Sequence, residues 1–285
     1  MTEISLFAPA KINLTLEVMR RQRGGYHEVR SIMQTVGLGD NLSFISGDDL
    51  YFECDLPGWQ AEQSLVSRAA ALLAGESGSR AGAAVRITKR IPLSSGLGGD
   101  ASDAAAVLRG LSRLWQLEIT PGRLTELAAE LGSDVPFFLE GGTALARGRG
   151  EVVSPLPAPV KCWLIIMTPE VPRPPEKTAA VYACLSAADY TFGGYTAALA
   201  ARLTRGAALT GGGLYNVFEG VAYDIFPGLA LCREAMLAAG AFRVHLAGAG
   251  PSLFSLHMSL AEAERVYGAL SEYPVFLVEV PESER

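Results

Sequence analysis

Residues 89–111 read KRIPLSSGLGGDASDAAAVLRGL, and no other stretch of the chain restricts the fold as strongly. Three glycines stand within four residues (Gly96, Gly98, Gly99), serines flank them, and an alanine-rich helical pattern follows at once. A helix N-terminus leaves about four N–H groups without an intrahelical partner and carries roughly half a positive charge. Glycines ahead of it let the backbone approach an anion with no Cβ in the way. The stretch therefore reads either as a polyphosphate cradle or as a plain loop in which Asp100 or Ser102 caps a core helix. Asp100 and Asp103 complicate the first reading, because a carboxylate at this place competes with phosphate.

Two other phosphate loops can be tested against it. The P-loop string G-x-x-x-x-G-K-[ST] does not occur. A dinucleotide pattern is nominally present as Gly96-x-Gly98-x-x-Ala101, with Glu118 further on. Its context is poor: the preceding strand alternates instead of being fully apolar, and Pro92 interrupts it. A nicotinamide-dependent oxidoreductase is the reading that this pattern would support.

The rest of the chain mixes strands and helices without a regular βαβ rhythm, which favours α+β over a doubly wound sheet. AKINLTLEV (10–18) alternates strictly, with Ile12, Leu14, Leu16 and Val18 on one side and Lys11, Asn13, Thr15 and Glu17 on the other. That is the pattern of a half-buried strand. A Gly24-Gly25 turn, a helix in LVSRAAALLAG and a strand in AAVRITKRI follow. After the glycines, Ala104, Val107, Leu108, Leu111, Leu114 and Trp115 share one helical face. A second helix starts with Thr120 as cap and Pro121 in its first position, and stops at Gly132. GTALARG, CWLIIM, FRVHLAG and LFSLHM read as strands, and 216–239 and 260–271 as helices.

At 285 residues the chain is long enough for two domains. The Pro-spaced SPLPAP (154–159) is the best linker, dividing the chain into residues 1–154 and 155–285. A net charge of -6 argues against a nucleic-acid binder. The four cysteines are scattered with no C-x-x-C pair, so neither a zinc site nor a disulfide framework is expected. The N-terminus does not read as a signal peptide, and CWLIIM is far short of the roughly 20 residues that span a bilayer. A cytoplasmic protein is the expectation.

Several further residues are candidates for chemistry, each beside a plainer role. Lys11 and Asn13 lie about 7 Å apart on one strand face. The lysine suits a phosphate or a reacting hydroxyl with the asparagine orienting it, or both belong to a solvated face. Asp134 precedes VPFFL, whose Pro136, Phe137 and Phe138 would desolvate it, raise its pKa and suit it to take a proton from an alcohol. The alternative is a helix-exit turn. Tyr26 and His27 either stack on a ring or decorate a turn. LAGAGPSLF (246–254) is a tight turn or a second backbone wall against phosphates.

The order of these pieces is more specific than any one of them. PAKINLTLEV, GYHEVRSIMQTVGLGDNLSF, IPLSSGLGGDASDAA, LGSDVPFFLEGGTALARGRGE and LAGAGPSLF together resemble the GHMP family of small-molecule kinases. The resemblance covers most of residues 6–255. It implies a two-domain α+β fold, a ribosomal protein S5 domain 2-like N-terminal domain and a ferredoxin-like C-terminal domain, with the active site in the cleft between them. It also implies ATP-dependent phosphorylation of the 2-hydroxyl of a cytidine-diphosphate-linked methylerythritol, with Mg²⁺ as cofactor. A kinase for another small alcohol, such as homoserine or mevalonate, is the nearest alternative within the family; a nucleotide sensor without turnover is another.

Carried over by position, ATP would be held by Pro92, Leu93, Ser94, Ser95, Gly96, Leu97, Gly98, Gly99, Asp100, Ala101 and Ser102, with Lys89 and Leu65 lining its adenine pocket. Asp134 would be the general base and Lys11 would orient the hydroxyl. Asn13, Tyr26, His27 and Tyr182 would contact the acceptor, the two tyrosines and the histidine at its cytosine. Ser102 would be the metal contact, with Asp100 pointing outward or helping to hold Mg²⁺. The chain departs from the family pattern in Asp100, Ala101 and Asp103 of the loop, in Ser64 where an asparagine is common, and in NVFE (216–219).

Overall fold

The structure is a computed structural model and describes residues 3–21, 26–78 and 81–280. The Gly24-Gly25 turn lies outside the described residues. Two compact units are present, and they interleave along the chain. One holds the residues up to Ala10, Leu38–Ser94 and Gly98–Gly141; the other holds Lys11–Gly37, Ser95–Leu97 and the chain from Gly142 onward. Two long strands, β1 (Glu3–Arg21) and β2 (His27–Gly47), contribute residues to both.

In the first unit β2 pairs with β4 (Gly82–Thr88), which in turn pairs in parallel with β3 (Leu50–Cys54). Four helices complete it: α1 (Leu65–Ser77), α2 (Gly99–Leu114), α3 (Pro121–Leu131) and α4 (Val135–Glu140). The α2 helix is alanine-rich because it is buried against α1 and α4, and small side chains let the helices approach. Gly110 of α2 takes this furthest, since a Cβ there would run into the buried Phe44 ring. The Thr120 hydroxyl accepts from Arg123 N (3.2 Å) with Pro121 at the first turn of α3, as its local sequence predicts.

The second unit holds β5 (Thr143–Arg147) and β6 (Val152–Leu156), added to the edge of β2, and β8 (Tyr215–Asn216), parallel to β1. It also holds a separate antiparallel sheet in the order β11-β7-β10-β9, made of β7 (Cys162–Met167), β9 (His245–Leu246), β10 (Leu253–His257) and β11 (Val275–Val280). The β7 strand lies between two neighbours, which explains why CWLIIM is apolar throughout. Its helices are α5 (Lys177–Ala183), α6 (Gly194–Thr204), α7 (Glu219–Ile225), α8 (Leu229–Ala238) and α9 (Leu260–Ala269). Val18, Ile165, Phe218, Phe226, Met236 and Leu253 are among the residues of its core.

Four readings from the sequence change. The alternating β1 is buried on both faces between Ala10 and Val18, because polar groups of its own unit cover the polar side. The proposed linker begins inside β6, where Pro155 is tolerated on an edge strand. The helical reading of 216–239 breaks into two helices at Phe226-Pro227-Gly228, where Gly228 has φ +89°. FRVHLAG forms only a two-residue strand, after which the chain turns, with Gly250 N donating to Ala247 O (2.9 Å). No helix among the described residues is long and apolar enough to cross a membrane.

Candidate active site

In the second unit, the Lys11 ammonium donates to Asn13 Oδ1 (2.8 Å), and Asn13 Nδ2 donates to Ser31 Oγ (2.7 Å). The Ser31 hydroxyl is fixed in turn by Thr15 O (2.6 Å). Lys11 and Asn13 are only 4% and 5% exposed, so this is no solvated face. Asparagine suits the place because its carbonyl holds the ammonium while its amide group is anchored behind.

The same unit places the glycine segment Ser95–Leu97 beside Lys11, since Lys11 N donates to Leu97 O (2.9 Å). The turn at 247–251 closes over that segment. Ser252 N donates to Ser95 O (3.1 Å), and a Cβ on Gly96 (φ +90°) would meet Ala247 O and Gly250 O. Gly248 has φ +56°, and a Cβ there would lie 3.1 Å from Lys11 Nζ. LAGAG is therefore both a tight turn and a backbone wall. NVFE, the segment with no role in the sequence reading, holds that wall in place. Asn216 Nδ2 donates to Leu246 O and Gly248 O (2.9 and 2.8 Å), and Glu219 Oε1 accepts from Leu246 N (3.0 Å).

His27 and Tyr182 also belong to this unit and are stacked, with ring centroids 5.0 Å apart and planes 25° apart. The Tyr190 hydroxyl lies 3.3 Å from His27 Nε2 and holds the ring from one side. Tyr182 packs edge-on against the core ring of Phe218. Tyr26 is 60% exposed and carries the Arg149 guanidinium over its ring, 4.9 Å from the centroid. Tyr190 and Arg149 were not singled out from the sequence, although Arg149 lies within LGSDVPFFLEGGTALARGRGE.

In the first unit, α2 begins at Gly99 with Gly98 in the left-handed conformation (φ 77°). Ser102, in the first turn, is 2% exposed, and its hydroxyl has no hydrogen-bond partner among the described residues. A buried hydroxyl at a helix N-terminus suits a phosphate or a phosphate-bound cation. Among the described residues no group of three or more His, Cys, Asp or Glu is arranged to hold a metal.

The Asp100 side chain does not cap α2: its carboxylate accepts from the Ser64 hydroxyl and from Leu65 N (3.2 Å), at the start of α1. Lys89 is buried between Asp103 (2.7 Å) and Asp40 (2.5 Å). Asp40 accepts as well from Ile91 N (2.8 Å). Burial alone would lower the Lys89 pKa, but the Asp103 and Asp40 carboxylates outweigh it and hold it above its ordinary value. Burial pushes Asp103 up to about 7 against the pull of Lys89, helped by the neighbouring Asp40 charge. Leu65 is half-buried at the first turn of α1. Asp134 is half-buried, one residue ahead of α4, and its side chain does not cap that helix. Beside it Phe137 is fully buried and Phe138 nearly so.

Comparison with known proteins identifies the family. Residues 64–142 match the GHMP kinases N terminal domain and residues 196–275 the GHMP kinases C terminal domain. The chain is 48% identical over 269 residues to a 4-diphosphocytidyl-2-C-methyl-D-erythritol kinase of Dehalococcoides mccartyi, covering 94% of each chain. It is 43% identical to the kinase of that name from Symbiobacterium thermophilum, over 87% of this chain and 88% of the other. A crystal structure of 4-(cytidine 5'-diphospho)-2C-methyl-D-erythritol kinase superposes with a TM-score of 0.83 at 32% identity, covering 98% of this chain and 100% of that one. With two family domains matched and relatives this similar along nearly their whole length, the chain belongs to the GHMP kinase family.

Proposed function

We propose that the chain transfers the γ-phosphoryl group of ATP to the 2-hydroxyl of 4-diphosphocytidyl-2-C-methyl-D-erythritol, a step of non-mevalonate isoprenoid precursor synthesis. The observation that carries this acceptor is the His27–Tyr182 stack, with Tyr26 next to it, in the same unit as the Lys11–Asn13 pair. Aromatic rings at that place suit an acceptor with a base to stack on. Mevalonate and homoserine present none.

Phosphoryl transfer asks mainly for positioning and charge neutralisation. The acceptor hydroxyl oxygen attacks the γ-phosphorus, the bond to the β–γ bridging oxygen breaks, ADP leaves, and the hydroxyl proton passes to Asp134. Lys11, fixed by Asn13, orients that hydroxyl and offsets the negative charge developing on it. Backbone N–H groups of the Gly96–Ser102 stretch hold the triphosphate. Mg²⁺, when bound, supplies further charge neutralisation on the phosphates, and Ser102 is the residue that would contact it. Lys89 and Leu65 are assigned to the adenine side, with residues 1–154 as the ATP-binding domain and 155–285 as the acceptor-side domain.

The test is ADP release from Mg-ATP with a panel of acceptors: the cytidine compound, mevalonate, homoserine, galactose and none. Release with the cytidine compound alone is expected; release with another acceptor overturns the reading of Tyr26, His27 and Tyr182. Asp134→Asn is expected to lower kcat by roughly 10²- to 10⁴-fold, the usual range for a general base. ATP binding should persist in that variant, and a near wild-type rate would remove Asp134 from the chemistry.

A further inference from the structure

The segment before α5 is strained in a way its sequence does not require. Glu176, a non-glycine residue, sits in the left-handed region at φ 46° and ψ 47°. Such a residue costs of order 1 kcal/mol and persists where its surroundings demand it. The next residue is Lys177, whose half-buried ammonium donates to Gly250 O in the 247–251 turn. That turn also holds Gly248 against Lys11 Nζ. Two lysines from distant parts of the chain therefore flank one five-residue turn, and Arg173 adds a third, exposed cation close enough to act on Lys177. Positive charge runs in steps from buried Lys11 through Lys177 to Arg173 at the surface.

The α5 helix links this charge to the stacked rings. Lys177 opens it and Tyr182 lies five residues later, a rise of about 7.5 Å along the axis. At its far end Tyr182 meets His27. Along one short helix the unit thus offers an aromatic surface, then a lysine, then the neighbourhood of Lys11. A cytidine-diphosphate-linked alcohol presents its groups in the same order: base, diphosphate, reacting hydroxyl.

We propose that Lys177, seconded by Arg173, is the receptor for the diphosphate of the acceptor, fixing the distance between its base and the hydroxyl at Lys11. This rests on the acceptor assigned above. Burial first, then the Lys11 and Arg173 charges, push Lys177 down to about 8. Two phosphate charges arriving there relieve that repulsion. Lys177 binds the phosphate oxygens as a charged donor; no bond is made or broken at it.

Steady-state KM values for the acceptor and for ATP, measured separately in Lys177→Met, test the proposal. The acceptor KM should rise roughly 10- to 100-fold, as for loss of a charge-assisted hydrogen bond. The ATP KM and kcat should change less than about threefold by the same reasoning, because the lysine does not touch the transferred group. Lys177→Arg should restore most of the loss, and Arg173→Gln should cost a smaller, few-fold factor. An unchanged acceptor KM overturns the proposal, and so does a rise confined to ATP, which would assign the lysine to the other nucleotide. Calorimetric titration of the full chain with CDP and with cytidine reads the receptor without turnover. CDP should bind the wild type more tightly than cytidine, and Lys177→Met should collapse that ratio while a thermal melt confirms folding. If wild-type protein ignores the cytidine acceptor altogether, the proposed function fails; if it turns the acceptor over and the variant matches it, this inference alone fails.

Discussion

The charges around Lys89 and those around the 247–251 turn are arranged on opposite plans. Lys89 lies between Asp40 and Asp103, and Asp40 is bonded further to backbone N–H groups. Each charge there has its opposite within the same unit. At the turn, Lys177 faces a backbone carbonyl and two like charges, Lys11 and Arg173. Oppositely charged partners hold the Lys89 pKa above its ordinary value, whereas burial and like charges hold that of Lys177 below it. A lysine near a phosphate loop is thus not by itself a ligand residue, and its partners tell which kind it is.

The largest effect is expected at Lys89. Lys89→Met leaves two buried carboxylates without their cation and should cost about 3–5 kcal/mol, as when one partner of a buried pair is removed. Urea unfolding at pH 7.5 measures it. A variant as stable as wild type would break the comparison, because the two carboxylates would then not depend on their cation.

How far these differences could be read in advance depends on how local their causes are. The α3 caps, the glycine stretch and the apolar β7 are written in adjacent residues, and they appear where the sequence puts them. The Lys11–Asn13 pair was legible as a pair two residues apart, but not its burial. That comes from Ser31 and Thr196, which bond to the polar side of β1 and stand 16 and 181 residues from Thr15 in the chain. Asp40 answers Lys89 across 49 residues, and Tyr190 reaches His27 across 163. No periodicity or motif carries such pairings.

The second plan can be sharpened through pH. Lys177 is held near 8, against 10.5 for an ordinary lysine, so between those values the folded chain binds fewer protons than the unfolded one. Its penalty on stability is full below about pH 8 and is lost as pH rises to about 10.5, so stability through this group increases with pH. Lys177→Met has no such group. Its stability relative to wild type should be most favourable below pH 8 and should fall by about 2 kcal/mol by pH 10.5, after discounting for partial exposure. Paired urea titrations at several pH values measure the difference directly. A flat difference would mean that the fold does not lower the Lys177 pKa, and the contrast with Lys89 would be lost.

The smallest effect concerns two departures from the family pattern that meet in space. Ser64 replaces a common asparagine and Asp100 stands within the glycine loop, and the Ser64 hydroxyl donates to the Asp100 carboxylate while accepting from Val66 N (3.3 Å). Each departure supplies what the other needs: the carboxylate is taken up by the start of α1, and the serine gains a charged acceptor. Because Asp100 is exposed, the bond is worth little, about 1 kcal/mol. Ser64→Ala and Asp100→Gly should each cost about that much in stability, and the double variant little more than either, a coupling of about 0.5–1 kcal/mol in a double-mutant cycle. ATP affinity separates the roles. Ser64→Ala releases the carboxylate toward the loop and should weaken ATP binding, whereas Ser64→Ala with Asp100→Gly should restore it. Additive losses in both readouts would mean that the two residues were acquired independently and that Asp100 already faces the phosphates.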